Sequence, residues 1–313
     1  MIVKANGFLV SLLFLGLVSL FPFGDGVAGT LHDIKARGKL IVGVKTDYPP
    51  LGFLDKKGNN KGIDIDIARA LSKELFGNRD AIEFVSVTSE NRIPFLTSEK
   101  IDLIAATLTI TEQRRNDVDF SIPYFITGQT ILVRADSKIT RYQDLAGRKV
   151  ATIRGSTGDS AVGKLVPDAQ RITFKGNFEA LQALKEGRAE AFVQDFVLLF
   201  NLLQKNRGLR MASLQPFEPG RYGLAVRKGD TEWLDFINAT LTKMKETGEY
   251  GRLLDKWFGP VARFLWKLLE NESELRRQKG TVSGREREAS STLKMRVKVE
   301  QGGPIALYKE KAL

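Results

Sequence analysis

Residues 62–71 read Gly-Ile-Asp-Ile-Asp-Ile-Ala-Arg-Ala-Leu, and this stretch decides the fold. From Ile63 through Leu75 the apolar side chains recur at the spacing of one helix face, which predicts a helix that packs against a core. Gly77 supplies a common helix end. A turn over residues 57–60 precedes the helix, and we expect a short hairpin there.

Strands and helices alternate on both sides of this helix. Apolar and β-branched runs predict strands at 39–44, 81–87, 101–106, 129–134, 149–153, 189–193 and 222–226. Helical spacing predicts helices at 92–96, at 178–186 with Asn177 as its cap, and from 233 to Gly248. Alternation of this kind is typical of α/β proteins with mostly parallel sheets.

The composition excludes several classes of chemistry. The chain has 313 residues, no cysteine and one histidine, His32. It therefore has no disulfide, no thiolate zinc site and no cysteine nucleophile, and a histidine-dependent triad is disfavoured. The net charge of +11 comes from interspersed charges of both signs, and without an aromatic-basic stripe we expect no nucleic-acid partner. The length favours two domains.

Both ends of the chain differ from its middle. Lys4, the apolar run 8–23 and the small residues 24–29 have the layout of a secretory signal, so residues 1–28 are predicted to be a signal peptide of an exported, periplasmic protein. An uncleaved membrane anchor is the alternative. Residues 261–313 are charged and form a C-terminal extension of unknown role, either a tail or an added helix.

Four blocks together carry a resemblance to a known family. They are 62–71, Thr107-Leu-Thr-Ile-Thr-Glu-Gln-Arg114, Val118-Asp-Phe-Ser-Ile-Pro-Tyr124 and the segment 248–259. This pattern resembles the family 3 extracellular solute-binding proteins, the receptors of polar amino-acid ABC transporters. Ser72 departs from it, because a smaller apolar residue is usual there.

The resemblance implies a two-lobed periplasmic binding-protein fold of type II, with two mostly parallel sheets joined by two crossover hinge strands. Lobe I would comprise 29–128 plus 223–260, and lobe II 129–222. An amino acid would bind between the lobes and pass to an inner-membrane permease. The resemblance implies a binding protein and no enzyme, with no cofactor and no metal, and family members are mostly monomers.

A free amino acid presents a carboxylate and an ammonium. The carboxylate needs a cation together with neutral hydrogen-bond donors, and the ammonium needs an anion. Arg114 can supply the cation, and Asp195 follows a predicted strand as the anion. Thr107 and Thr109 lie at a strand end, on one face of an extended segment, and Thr157 lies where a glycine loop opens a helix. Each matches a ligand position of the family. The alternatives are helix caps for Thr109 and Asp195 and a solvated Arg114; Thr111 is predicted to be a cap.

A second group of residues faces the side chain of the ligand. Ser89 and Arg92 lie in a segment that resembles the distal-carboxylate site of glutamate/aspartate receptors, and Lys45 matches a basic position of the same subgroup. Two extra cations favour an acidic ligand, since a buried carboxylate needs counter-charge. Tyr48 is a weaker candidate, with a core position as its alternative, and Lys45 has an exposed strand end as its alternative.

We therefore expect L-glutamate or L-aspartate, with glutamine and asparagine left open. A cyclohexadienyl dehydratase, which has a similar fold and acts on arogenate or prephenate, is the alternative function. A sensory or interaction module is a third.

Overall fold

The computed structural model of the protein describes residues 30–259, 295–298 and 306–309. The helices are α1 Thr30–Arg37, α2 Ile63–Phe76, α3 Arg92–Thr97, α4 Glu112–Arg115, α5 Thr157–Leu165, α6 Asn177–Lys185, α7 Phe196–Lys205, α8 Thr231–Glu246 and α9 Glu249–Phe258, with a 3₁₀ turn at Tyr142–Leu145. The strands are β1 Leu40–Val44, β2 Asp47–Tyr48, β3 Gly52–Leu54, β4 Asn60–Lys61, β5 Ile82–Ser86, β6 Leu103–Ala105, β7 Val118–Phe120, β8 Phe125–Arg134, β9 Lys149–Ile153, β10 Gln170–Phe174, β11 Ala191–Asp195, β12 Leu209–Met211, β13 Glu218–Tyr222, β14 Ala225–Arg227, β15 Met295–Lys298 and β16 Ala306–Lys309.

Two sheets organise the described chain. The first has the order β5-β1-β6-β14-β7, and the second has the order β10-β9-β11-β8-β12 with β13 added on β8. The chain passes from the first sheet to the second between β7 and β8, and returns between β13 and β14. β8 and β13 pair with each other, with Phe125 opposite Tyr222, so the two crossings lie side by side. This is the predicted two-lobed α/β architecture with two crossover strands; the lobe boundaries stay a prediction.

The prediction that both sheets are mostly parallel is wrong. In the first sheet β1 runs parallel to β5 and β6, but β14 runs antiparallel to β6 and β7. In the second, β9 runs parallel to β10 and β11, but β8 runs antiparallel to all three of its partners. The antiparallel strands are those next to the crossings, where the chain enters and leaves a sheet through neighbouring strands without a crossover helix.

Several sequence-predicted elements have the predicted bounds to within two residues, but two local predictions are wrong. The strand expected at 222–226 is split, because β13 ends at Tyr222 in one sheet and β14 begins at Ala225 in the other. Asn177 is the first residue of α6 and does not cap it; Gly176 holds the cap position. The side chain of Asn177 donates instead to Asp47, in the other lobe.

α2 explains the motif with which the sequence analysis began. Gly62 has φ 126°, and a Cβ at that position would lie 2.0 Å from the carbonyl oxygen of Leu51, so only glycine fits. Gly77 ends the helix in the left-handed conformation. The two acids face different partners: Asp64 is fully buried beneath the cleft, whereas Asp66 accepts hydrogen bonds from Lys256 and Trp257 of α9. The motif thus anchors α9 to α2.

The two lobes touch across a closed cleft. Glu90 and Arg154 pair across it at 3.9 Å, and a Cβ added to Gly155 would lie 2.8 Å from the Cα of Glu90. β15 and β16 form a separate antiparallel pair. No helix among the described residues is long and apolar enough to span a membrane. The predicted signal peptide lies outside the described residues. So does most of the 261–313 extension, which was predicted to be either a tail or an added helix.

Candidate functional site

The structure places the predicted site residues near the ends of strands and the starts of helices of the two lobes, and contacts of Tyr48, Thr109 and Arg114 with the second lobe bring these ends together. Short segments that follow strands β1, β5 and β6 supply the first lobe's side chains, while the start of α5 and the end of β11 supply those of the second. The side chains are Lys45, Tyr48, Ser89, Arg92, Thr107, Thr109 and Arg114 from the first lobe, and Thr157 and Asp195 from the second. Strand ends meet at one edge of an α/β sheet, which is where ligands usually bind.

Asp195 is a buried carboxylate with three donors. Its Oδ2 accepts hydrogen bonds from the hydroxyl of Tyr48 at 2.8 Å and from that of Tyr222 at 2.7 Å, and its Oδ1 accepts one from the Nε2 of Gln129. Its side chain caps no helix, although it precedes α7. Burial raises its pKa, while these hydrogen bonds and the nearby Arg92 oppose the shift. The three donors fix the orientation of the Asp195 carboxylate where the two lobes meet.

Arg114 joins the two lobes through main-chain oxygens. Its Nη1 donates to the carbonyl of Thr109 at 2.8 Å, and its Nη2 donates to the carbonyl of Gly155, in the second lobe, at 3.0 Å. Burial lowers its pKa, and Asp195 raises it. Thr111 accepts a hydrogen bond from the Arg114 amide and so caps α4, as predicted. The guanidinium is thus directed by its short helix into the cleft.

The three threonines have different surroundings. The hydroxyl of Thr109 lies 3.4 Å from that of Thr157, which also accepts from Gln129 at 3.1 Å, so the lobes meet there. A cavity of about 250 Å³ is lined by Thr109, Gln129 and Thr157, among other residues. Thr107 is not in an extended segment, because its φ is 50°. The expectation that Thr107 and Thr109 share one face of such a segment is wrong, since the strand ends at Ala105 and the chain turns.

Lys45 and Arg92 are cations with almost no exposure. Lys45 is 2% exposed, and its Nζ donates to the hydroxyl of Ser89 at 2.9 Å. Arg92 is also 2% exposed; its Nη1 donates to the carbonyl of Ala106. Its Nε is buried without a hydrogen-bond partner in the described part of the chain. The alternative of a solvent-exposed Lys45 is therefore wrong.

The electrostatics of the cleft are dominated by these cations. Burial and the charge of Arg92 lower the pKa of Lys45 to about 7, against weaker support from Asp47 and Asp195. Burial and Arg114 lower the pKa of Arg92 to about 9. Burial is the main cause of both shifts, and the neighbouring carboxylates compensate it only in part. An anion placed between Lys45 and Arg92 would remove that deficit.

Sequence reasoning missed three residues of this cleft. Tyr222 and Gln129 hold Asp195, and Asp47 accepts hydrogen bonds from the main chain and side chain of Asn177 at 2.7 and 2.9 Å. Tyr222 and Gln129 were assigned only to predicted strands. The role of Gln129 follows from register, because it lies opposite Asp195 in the pairing of β8 with β11. Tyr48, a weak candidate by sequence, is in direct contact with Asp195.

Two α/β lobes that enclose buried charges from both sides define a ligand receptor of the two-lobed binding-protein class. A family model described as bacterial extracellular solute-binding proteins, family 3, matches residues 40–260. The chain belongs to this family. The described residues contain no cluster of side chains suited to a metal ion.

Named relatives show which proteins this chain resembles. It is 39% identical over 230 residues to the ABC transporter glutamine-binding protein GlnH of Bacillus subtilis, covering 73% of this chain and 84% of the relative. It is 29% identical over 255 residues to the L-glutamate/L-aspartate-binding protein of Pseudomonas aeruginosa, covering 77% and 84%. The solved structure of an ancestral amino acid-binding protein, described as a precursor of cyclohexadienyl dehydratase, matches with a TM-score of 0.68 and 40% identity, covering 73% of this chain and 99% of that one. The resemblance that the sequence motifs predicted is confirmed at the level of the family.

Proposed function

We propose that this protein is a periplasmic receptor that binds L-glutamate or L-aspartate between its two lobes and delivers it to the permease of an ABC transporter. The observation that carries the acidic specificity is the burial of two cations, Lys45 and Arg92, in addition to the opposite charges of Arg114 and Asp195.

The argument for an acidic ligand is a charge balance. The α-carboxylate of an amino acid pairs with Arg114 and its ammonium with Asp195, so a zwitterion neutralises that pair. Asp47 near Lys45 and Asp64 near Arg92 then offset the two remaining cations only in part. A side-chain carboxylate supplies the missing charge, and each charge-assisted hydrogen bond contributes about 1.5–3 kcal/mol. A cationic amino acid such as arginine would add a third positive charge near Lys45 and Arg92, at a large cost.

Transport also requires that the ligand favours closure, because a ligand that binds both states equally shifts nothing. The proposed contacts are divided between the lobes: Arg114 and Arg92 belong to the first and Asp195 to the second. A bound amino acid therefore makes its full set of contacts only in the closed cleft. The same division supports delivery to a partner that distinguishes closed from open receptors.

Glutamine is the second candidate ligand. The similarity to the glutamine-binding relative favours it, and so does the pKa of about 7 of Lys45, because a neutral Lys45 tolerates an amide. Ser89 and Arg92 can both donate to an amide oxygen. The dehydratase alternative is favoured only by the similarity to the ancestral precursor.

Titration calorimetry of the exported chain against the twenty amino acids tests the proposal. We expect glutamate or aspartate to bind most tightly, glutamine and asparagine more weakly, and arginine not at all. Asp195→Asn should abolish binding, since the ammonium loses its anion. Asp136→Asn, which changes an exposed acid in the same lobe, is the matched control and should leave it intact.

Three results would contradict the proposal in different ways. If glutamine bound most tightly, the proposed acidic specificity would be wrong, but the proposed receptor function would stand. Binding of no amino acid would remove the receptor function. Release of phenylpyruvate from prephenate or arogenate would identify the dehydratase instead.

A further inference from the structure

Thr107 has a backbone conformation that its side chain disfavours. Its φ of 50° lies in the left-handed region, which β-branched residues rarely adopt. Such a residue persists only where its surroundings hold it, and these positions cluster at functional sites. Thr107 is also 4% exposed, so the support must come from neighbouring protein groups.

The support comes from charges on both sides of one peptide group. The amide of Thr107 donates to the Oδ2 of Asp64 at 3.0 Å, and the carbonyl of Ala106, in the same peptide group, accepts from Arg92. The N–H thus points at an anion and the C=O at a cation, so both charges align the peptide dipole in one direction. Rotation of this peptide group would break both contacts at once.

Asp64 itself is fixed and isolated from the cleft. It is fully buried in α2, and its Oδ1 accepts from the hydroxyl of Tyr124 at 2.8 Å. The charged and titratable groups that face it are Arg92, Tyr124 and Tyr250. Both carboxylate oxygens of Asp64 already accept a hydrogen bond from the protein, Oδ1 from Tyr124 and Oδ2 from Thr107.

We infer that Asp64 is a positioning residue of the amino-acid site: it clamps the peptide group between Ala106 and Thr107 against Arg92, and so sets both the turn that presents Thr109 and the position of the Arg92 guanidinium. This inference rests on the proposed function, because it assumes that Arg92 and Thr109 contact the ligand. Asp64 acts on binding through them and makes no ligand contact of its own.

Four variants separate positioning from general stability. Asp64→Leu removes both acceptors and should weaken the best ligand at least tenfold. Asp64→Asn keeps one acceptor for the Thr107 amide and should recover affinity to within about threefold of the unmodified protein. Asp66→Leu is the matched control: this acid lies two residues along α2 and bonds to Lys256 and Trp257, away from the site. It should lower the melting temperature and leave affinity unchanged.

Thr107→Gly supplies the fourth variant and a direct test of the turn. Glycine adopts this φ without strain, so Asp64→Leu should cost less than threefold when it is introduced into Thr107→Gly. Affinity is measured by calorimetry and folding by the melting temperature of each variant without ligand. If Asp64→Leu alone does not fold, the double variant is compared with Thr107→Gly.

The inference is overturned by any of three results. The first is Asp64→Leu affinity within twofold of the unmodified protein, and the second is an equal loss in Asp66→Leu. The third is a double variant that fails to fold or stays tenfold weaker than Thr107→Gly, because Asp64 would then act through something other than the turn. An unmodified protein that binds no amino acid would instead refute the proposed function.

Discussion

The charge of Lys45 makes the pH dependence of ligand choice the sharpest test of the acidic pocket. With a neutral side chain in the cleft, Lys45 keeps its pKa of about 7, because burial and Arg92 oppose its charge. A ligand carboxylate beside the ammonium raises that pKa toward its ordinary value of 10.5. The glutamate complex therefore holds a proton on Lys45 that the glutamine complex loses as the pH rises.

The magnitude follows from this difference. The ratio of the glutamate to the glutamine association constant depends only on the two complexes, because the free protein cancels. Below pH 7 Lys45 is charged in both, and the ratio is nearly constant. Between pH 7 and pH 9 the ratio should fall by roughly 50-fold, or about 2 kcal/mol, since each pKa unit corresponds to about 1.4 kcal/mol. Titration of the ligand's α-amino group affects both complexes alike.

The assay is calorimetry with both ligands at pH 5.5, 7 and 9. At pH 8, titrations in two buffers of different ionisation enthalpy should show about 0.9 proton more bound with glutamate than with glutamine. Lys45→Met should flatten the ratio, whereas Lys138→Met, which changes an exposed lysine of the other lobe, should not. A ratio that is constant within twofold over this range, or an unchanged slope in Lys45→Met, would refute the reasoning.

Three further predictions concern affinity, closure and stability. Arg92→Ala should weaken glutamate by about 10- to 100-fold and glutamine much less, whereas Arg154→Ala, at the exposed rim, should change neither more than about twofold; equal losses for both ligands would remove the pocket assignment. Asp47→Ala removes two hydrogen bonds to Asn177 across the cleft and should speed ligand dissociation by roughly 3- to 30-fold in stopped-flow fluorescence; an unchanged rate would show that they do not hold the closed state. Trp233→Ala, at a fully buried residue, should lower the free energy of unfolding by about 3–5 kcal/mol in urea denaturation, and a loss below about 1 kcal/mol would contradict its core role.

Local sequence patterns predicted most elements because their causes are local. The strand at 149–153 has its predicted bounds, and the helix from Ile63 ends at Gly77 as its spacing indicates. The errors occur where tertiary pairing decides. The segment 222–226 reads as one strand, but it is divided between two sheets because the chain crosses lobes there. The sequence pattern predicts Asn177 as a helix cap, but its side chain donates a hydrogen bond to Asp47 of the other lobe instead.

The candidate site was predictable in its residue types and not in its connections. Arg114 and Asp195 follow from the needs of a zwitterion and from the family pattern. The left-handed turn at Thr107 leaves no sequence signal, since threonine is not a residue that favours it. The clamp of that turn joins Asp64 of α2, Arg92 of α3 and Ala106, which follows β6.

The sequence by itself determined the elements, the family and the set of charged side chains available for a ligand, because helix and strand periodicity and short motifs are properties of neighbouring residues. Only the tertiary structure decided which of these side chains meet. Tyr48 reaches Asp195 across 147 residues of chain because the two lobes meet at the cleft. Gln129 reaches the same carboxylate because the register of β8 with β11 sets the two residues opposite each other. The same packing buried Lys45 and Arg92 and so lowered the pKa of both cations.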